Sequence, residues 1–148
     1  MIARTSTALA ARGISTDVKP LIDAHGEGRR RVALHVRKIE NTWRAGFMAE
    51  GSHALVPIDA CPILVPKLQA IPTVAATFGN FFGDCDVLAA LVDNGIDIAI
   101  KAERKLADKA VAQFDAFMRE HAIVRISVNG QVLAQLAAPN ITMGKASV

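Results

Sequence analysis

Cysteine is scarce in this 148-residue chain, and the two that are present do not form an obvious pattern. Cys61 and Cys85 are too few to indicate a disulfide-stapled scaffold. Neither has a second cysteine or a histidine at the spacing of a metal site. Spacing alone therefore favours a structural thiol at both positions.

Long apolar runs and a secretory leader are also missing. The longest uncharged run, residues 68–83, contains Pro72 and is too short to span a bilayer. The opening residues Met1-Ile2-Ala3-Arg4 lack the apolar segment of a signal peptide. We therefore expect a cytoplasmic protein with no membrane partner.

The composition is that of a folded domain, with 51% hydrophobic and 21% charged residues. The length suits a single domain, 1–148, with a real core. A formal net charge of +3 does not by itself indicate nucleic acid, but the distribution of charge is uneven. Basic residues gather early, at Arg29, Arg30, Arg31, Arg37, Lys38 and Arg44, and acids later, at Asp84, Asp86, Asp93 and Asp97. A solvated edge strand and a ligand surface are both compatible with the basic cluster.

Residues 29–39 alternate between apolar and basic side chains, which predicts a half-buried strand. Further strands are expected at 43–48 and 55–58. The dipeptides Asn94-Gly95 and Asn129-Gly130 predict two tight hairpins, joining 87–92 to 96–100 and 123–128 to 131–136.

Helical spacing of apolar residues appears in three places. A short helix at 3–12 is expected to end at Gly13, and longer helices are expected at 63–82, with a break near Pro72, and at 104–120. Together these elements predict an α+β domain: an antiparallel sheet built of hairpins, with two long helices packed on one face.

The basic strand is the candidate ligand surface. Period-2 geometry places Arg29, Arg31, His35 and Arg37 along one face, with alternate residues about 6.6 Å apart. Such a row can follow an RNA backbone without reading its sequence. Arg44 on the next strand would widen the row, whereas the neighbouring Trp43 either stacks on a base or packs on its partner strand.

A longer motif surrounds Cys61. Gly46-Phe47, then Ser52-His53, then an apolar strand ending at Asp59, then Cys61-Pro62 follow one another in this order. The segment resembles the part of the RNA (uracil-5-)-methyltransferases that carries the last cysteine of an iron–sulfur cluster. Residues 23–31 resemble the entry to the basic strand of that family, and residues 126–133 with Met143-Gly144 resemble the run leading to its catalytic domain. The resemblance covers nearly all of the chain, although the family is much longer.

The resemblance implies a role for Cys61 as one ligand of a 4Fe-4S cluster. Three further cysteines of the family lie upstream in a Cys-x5-Cys-x2-Cys pattern, and this chain has no cysteine before Cys61. The cluster and S-adenosylmethionine are therefore expected only in a full-length protein, and no cofactor is expected in this chain alone. His53 has three interpretations: it satisfies a backbone carbonyl, supports the cluster, or contacts RNA.

The parts of the family that perform methyl transfer have no counterpart in this sequence. The Gly-rich turn that binds S-adenosylmethionine, the nucleophilic cysteine beside an Asp-Pro-Pro-Arg-like motif, and the Phe-x-Gln-x-Asn signature are not found. We therefore interpret the chain as a central RNA-binding and cluster-supporting domain of a 5-methyluridine-forming enzyme. It is not catalytic by itself, and its expected partner is structured RNA, either rRNA or tRNA.

Two hypotheses from other classes compete with this interpretation. The first hypothesis is that the chain is a stand-alone interaction module that self-associates through an exposed sheet edge, with a homodimer formed through residues 141–148. Alternatively, it is a small enzyme that uses Cys61 with His53, although a spacing of eight residues does not establish that the two meet.

Overall fold

The computed structural model describes residues 2–18, 28–104 and 114–142. The helices in chain order are α1 (Ile2–Ala10), α2 (Ile71–Thr77), α3 (Gly79–Phe82) and α4 (Phe114–Glu120), with a 3-10 helix at Pro66–Leu68. The strands are β1 (Arg31–Ile39), β2 (Thr42–Met48), β3 (Leu55–Pro57), β4 (Cys85–Val92), β5 (Gly95–Ala102), β6 (Ile123–Val128) and β7 (Gln131–Gln135). The predicted α+β class is confirmed.

The described strands form one seven-stranded sheet in the order β3-β2-β1-β4-β5-β6-β7. Neighbouring strands are antiparallel, as predicted, except for β5 and β6, which are parallel. Both predicted Asn-Gly hairpins are present, and at the second the positive φ of Asn129 (49°) and Gly130 (83°) suits the twist of a tight hairpin. The sequence had predicted an antiparallel sheet throughout, so the parallel pair is a correction. Parallel neighbours require a long crossover connection, and α4 lies within the connection between β5 and β6.

The helical region after Cys61 is divided into shorter pieces than predicted. In place of one helix over 63–82, the chain forms the 3-10 helix and then α2 and α3. Pro72 lies in the first turn of α2, where its missing N–H leaves no helical bond broken, so it helps to start a helix and does not kink one. Of the predicted helix 104–120, residues 105–113 lie outside the described part, and α4 is the described remainder. The long helix expected over 63–82 is therefore corrected to three short helical segments.

The core lies between one face of the sheet and the helices. Leu34 and Val36 of β1 and Ile98 of β5 are buried in the same cluster as Phe78 and Phe114. The rings of Phe78 and Phe114 lie 6.3 Å apart between centroids. Burying each side chain of this size contributes about 1.5–3 kcal/mol, so this cluster fixes which face of β1 points inward.

The other face of the sheet keeps exposed or half-exposed side chains, and we call it the open face. On β1 it is formed by Arg31, Ala33, His35 and Arg37, and their neighbours in register on β2, β4, β5 and β6 continue it. Among the described residues, no helix is long and apolar enough to cross a membrane.

Candidate nucleic-acid interface

Strand register brings most of the predicted basic row together on the open face. Arg37 of β1 lies opposite Arg44 of β2. His35 lies opposite Asp86 of β4, and Asp86 in turn lies opposite Lys101 of β5. Arg31 lies on the same face of β1, four residues before His35. The period-2 alternation therefore assigned these side chains to the correct face of the strand.

Asp86 pairs with two members of the row. Nδ1 of His35 lies 2.7 Å from Oδ1 of Asp86, and Nη2 of Arg37 lies 3.2 Å from the same oxygen. Burial by itself raises the pKa of the Asp86 carboxyl, but the hydrogen bonds from His35 and Arg37 outweigh it and the pKa lies below its usual value. The charge of Arg37 is therefore partly neutralised by a carboxylate of the same sheet, and His35 contacts the same carboxylate.

Arg37 is also held by backbone oxygens. Its Nη1 donates to the carbonyls of Val36 and Cys85, each at 2.9 Å, and its Nε lies 3.9 Å from Oδ2 of Asp84. These contacts fix the guanidinium across the β1–β4 pair. Arg37 consequently has a structural task in addition to any contact with a ligand.

Arg44 has a looser partner. Its Nη1 lies 3.4 Å from Oδ1 of Asp59, a side chain that is 89% exposed, so solvent screens the pair. Asp59 does not cap a helix. Its backbone carbonyl instead accepts a hydrogen bond from Oγ1 of Thr73 at 3.2 Å, and no side chain caps the 3-10 helix or α2.

Arg29 and Arg31 are exposed, and within the described residues neither side chain has a carboxylate partner. Arg31 lies on β1, whereas Arg29 precedes the strand. His53 is exposed in the loop between β2 and β3, where the Ser52 hydroxyl accepts a hydrogen bond from the Ala54 N–H at 3.2 Å. These three side chains have no described ion pair that a ligand would have to displace.

Two motifs that are far apart in the sequence meet at the start of β1. The Arg29 N–H donates to the Ile63 carbonyl at 2.8 Å, and the Val65 N–H donates to the Arg29 carbonyl at 3.1 Å. Gly28 has φ +81°, and a Cβ at this position would lie 2.8 Å from the Val65 nitrogen. Glycine is needed there because both its left-handed backbone and the crossing segment exclude a side chain. His25 and Gly26, which belong to the family-like segment 23–31, lie outside the described residues.

The Gly-Phe motif has a similar structural reason. Gly46 lies beside the edge strand β3, and a Cβ on it would collide with the Val56 carbonyl. The next residue, Phe47, pairs in register with Val56. The motif therefore allows the short edge strand to approach β2 closely.

Cys61 lies in a turn and is buried. Its N–H donates to the Gln69 carbonyl and its own carbonyl accepts from the Leu64 N–H, both at 3.1 Å. The first helical residue after it is Pro66, so the helix predicted from residue 63 does not begin directly after Cys61. Within the described residues, no three metal-binding side chains come together. The described surroundings of Cys61 therefore do not fit a 4Fe-4S cluster, which needs four thiolates or close substitutes.

Cys85 is the core thiol that the sequence predicted. It is buried on β4, and burial raises the pKa of its thiol to about 11. A thiol with such a pKa is protonated at neutral pH and is a poor nucleophile.

Trp43 turns away from the open face. Its ring contacts Gly79 of α3, and Nζ of Lys38 lies 5.8 Å from the ring centroid. Of the two interpretations of this residue, packing is therefore the one observed: the ring contacts α3 and also Lys38, its register partner on β1.

Sequence reasoning missed two cations of the open face. Lys101 is exposed near the end of β5, and Arg125 of β6 forms a two-bond pair with Asp97 at 2.9 and 2.7 Å. The alternation of Asp97, Ala99 and Lys101 with buried residues could have indicated that Lys101 lies on the open face of β5. The pairing of Arg125 could not be predicted, because it depends on the parallel register of β5 and β6.

The relatives of the chain identify the class to which these features belong. Over 145 residues, 95% of the chain and 35% of the relative, it is 30% identical to an uncharacterized RNA methyltransferase of Brucella suis biovar 1. It is 32% identical over 151 residues to an uncharacterized RNA methyltransferase of Caulobacter vibrioides, covering 95% of the chain and 36% of the relative. No protein-family profile matches. The chain is therefore a homologue of RNA methyltransferases.

A third relative makes the relationship more specific. The 23S rRNA (uracil(1939)-C(5))-methyltransferase RlmD of Shewanella woodyi is 25% identical over 125 residues, 78% of the chain and 28% of the relative. The resemblance to the RNA (uracil-5-)-methyltransferase family, stated from the motifs, is confirmed. The chain spans about a third of the length of the curated relatives that it matches first.

Proposed function

We propose that the chain is an RNA-contacting domain of a uracil-C5 RNA methyltransferase and is not catalytic by itself. The supporting observation is its similarity, over 95% of its length, to about a third of an RNA methyltransferase. The proposed partner is structured RNA, either rRNA or tRNA, and the proposed compartment is the cytoplasm.

The candidate contacts are the side chains predicted from the sequence. Arg31, Arg37 and Arg44 lie on one sheet face, with His35 between the first two. Arg29 and His53 are exposed beyond the ends of β1 and β2. Guanidinium groups on a sheet bind phosphate oxygens without reading bases, which suits a domain that holds RNA for a reaction performed elsewhere.

Cofactors belong to the complete enzyme in this proposal. S-adenosylmethionine would supply the methyl group, and its binding residues would lie in parts of the relatives that the chain does not match. Cys61 would be one ligand of a 4Fe-4S cluster only if three more came from outside this chain. This domain would contribute RNA binding and the buried turn that holds Cys61.

Fluorescence anisotropy with a labelled, folded rRNA fragment at low salt tests the proposal. The unmodified chain should bind, and the double variant Arg31→Glu, Arg37→Glu should lose binding at least about tenfold. Lys67→Glu is a control charge reversal outside the row, because Lys67 is exposed on the 3-10 helix whose Leu68 is buried in the core cluster. Failure of the unmodified chain to bind, or full binding by the double variant, would contradict the proposal.

Self-association is a second candidate because of the sheet edge. Strand β7 pairs with β6 on one side, and on the other side it has no strand partner among the described residues. Val132 on β7 is 56% exposed. Part of the predicted dimer segment, 143–148, lies outside the described residues. Sedimentation at several concentrations should show a dimer that Val132→Lys disrupts, and a monomer at all concentrations would dismiss this candidate.

A further inference from the structure

Two adjoining depressions form a trough across the open face. The first, of about 590 Å³, is bordered by His35, Asp86 and Lys101 and has Ala33, Leu88 and Ala99 on its floor. The second, of about 470 Å³, shares Leu88 and Ala99 with the first. It continues past Ala90 to Arg31 and Ile141.

The floor of the trough is apolar and consists of two alanines and a leucine on adjacent strands. Ala33, Leu88 and Ala99 form one row in register across β1, β4 and β5. Among the described residues, no phenylalanine, tyrosine or tryptophan lines either depression, and His35 stands at the border, so the floor itself offers no stacking platform. The sugar–phosphate backbone of a nucleic acid can lie directly on a flat apolar floor of this kind.

Cations border both ends of this floor. Arg31 lies at one end, and Lys101 at the diagonally opposite end. Neither forms a salt bridge with a described residue, whereas the carboxylates of the face, Asp86 and Asp97, are already paired with basic partners. The trough therefore has, at each of two separate points, a cation that forms no salt bridge, and Lys101 also shares a depression with Asp84, Asp86 and Glu103.

The separation of these cations follows from the register. Lys101 lies in the row of His35, and His35 is four residues from Arg31, a distance of about 14 Å along the strand. Two cations this far apart contact different phosphates of one nucleic-acid strand. A small anion would bind only one of them.

We propose that the trough, from Lys101 across Ala33, Leu88 and Ala99 to Arg31, is the seat of one RNA backbone segment. The inference rests on the proposed function and extends it: RNA crosses β1, β4 and β5 and is not confined to the β1–β2 row. Lys101 is the added phosphate contact, and the alanines of the floor allow the RNA backbone to approach the sheet closely. Because the floor lacks aromatic rings, the contact is independent of base sequence.

Binding of a folded rRNA fragment by three single variants tests this inference. Lys101→Glu removes a cation at the far end, Ala33→Glu puts a carboxylate on the exposed floor, and Arg31→Glu marks the basic row. Each should weaken binding about tenfold or more, whereas Lys67→Glu should change it less than about twofold. Circular dichroism and thermal melting establish that each variant is folded.

The outcomes separate this inference from the proposed function. If Arg31→Glu weakens binding while Lys101→Glu and Ala33→Glu bind as the unmodified chain does, the trough is wrong and the basic row stands. If the unmodified chain does not bind RNA, both are wrong. Cross-linking to 4-thiouridine-containing RNA requires no substitution: adducts on peptides from β4 and β5 support the trough, and adducts confined to β1 and β2 contradict it.

Discussion

At the scale of single residues, the arginines of β1 differ in how the fold uses them. Arg37 donates to two backbone carbonyls and to Asp86, whereas Arg31 on the same face has no carboxylate partner among the described residues. Both were predicted as RNA contacts from a single alternating pattern. That pattern assigns a face, but it contains no information on partners 49 residues away along the chain.

The first prediction concerns the stability of the two charge reversals. Arg31→Glu should change the free energy of unfolding by no more than about 0.5 kcal/mol, because it removes an exposed side chain. Arg37→Glu should cost more, since it places a carboxylate beside Asp86 and leaves two carbonyls without their donor. Urea unfolding measures both, and equal losses of stability would contradict the difference in role.

The second prediction concerns acid stability and Asp86. The pKa of this carboxyl is lowered in the folded state, so its contribution is complete above the ordinary value of 3.8 and is lost as the pH falls through the folded pKa. Because the Asp86 side chain is 45% exposed, solvent screening limits the contribution to less than about 1 kcal/mol.

Asp86→Asn should therefore flatten the loss of stability between about pH 5 and pH 2. Urea unfolding at several pH values measures the slope. Asp115→Asn, in an exposed pair within α4, is the control and should leave the slope nearly unchanged. The same slope in the unmodified chain and in Asp86→Asn would exclude Asp86 as a source of acid sensitivity.

At the scale of elements, hairpins were the most predictable part of the fold and helices the least. Asn94-Gly95 and Asn129-Gly130 specify tight turns locally, so the strands beside them were located to within a few residues. Apolar spacing over 63–82 is also produced by a chain that runs across a core in several short turns, and it therefore suggested too long a helix. The parallel β5–β6 pair and the side of β2 that Trp43 occupies depend on contacts between distant segments.

The third prediction tests the contact between α3 and β2. Gly79→Ala should destabilise the fold by about 1–3 kcal/mol, because its Cβ would collide with the Trp43 ring near the atom that joins the ring to the backbone. The ring cannot move away without leaving its packing position. Asn80→Ala, on the exposed side of the same helix, is the matched control. Thermal melting compares the two, and an unchanged midpoint for Gly79→Ala would contradict the close packing.

At the scale of the whole molecule, one face of the sheet makes the core and the other carries the candidate interface. The motifs that identify the relatives have structural reasons here: Gly28 and Gly46 permit close crossings of the backbone, and Arg29 is tied to the turn after Cys61. The sequence predicted the family, the class and the basic face. It could not predict the trough, because the floor consists of apolar side chains from three separate strands.

The salt dependence of RNA binding tests the central claim most directly. The affinity of the unmodified chain for a folded rRNA fragment should fall steeply with salt, with a log–log slope of about −0.7 to −0.9 for each phosphate contacted. Arg31→Glu should make this slope shallower by about one contact. Lys67→Glu should leave it unchanged. If the unmodified chain has no measurable affinity at low salt, or if Arg31→Glu keeps the full slope, the open face does not hold RNA through this row.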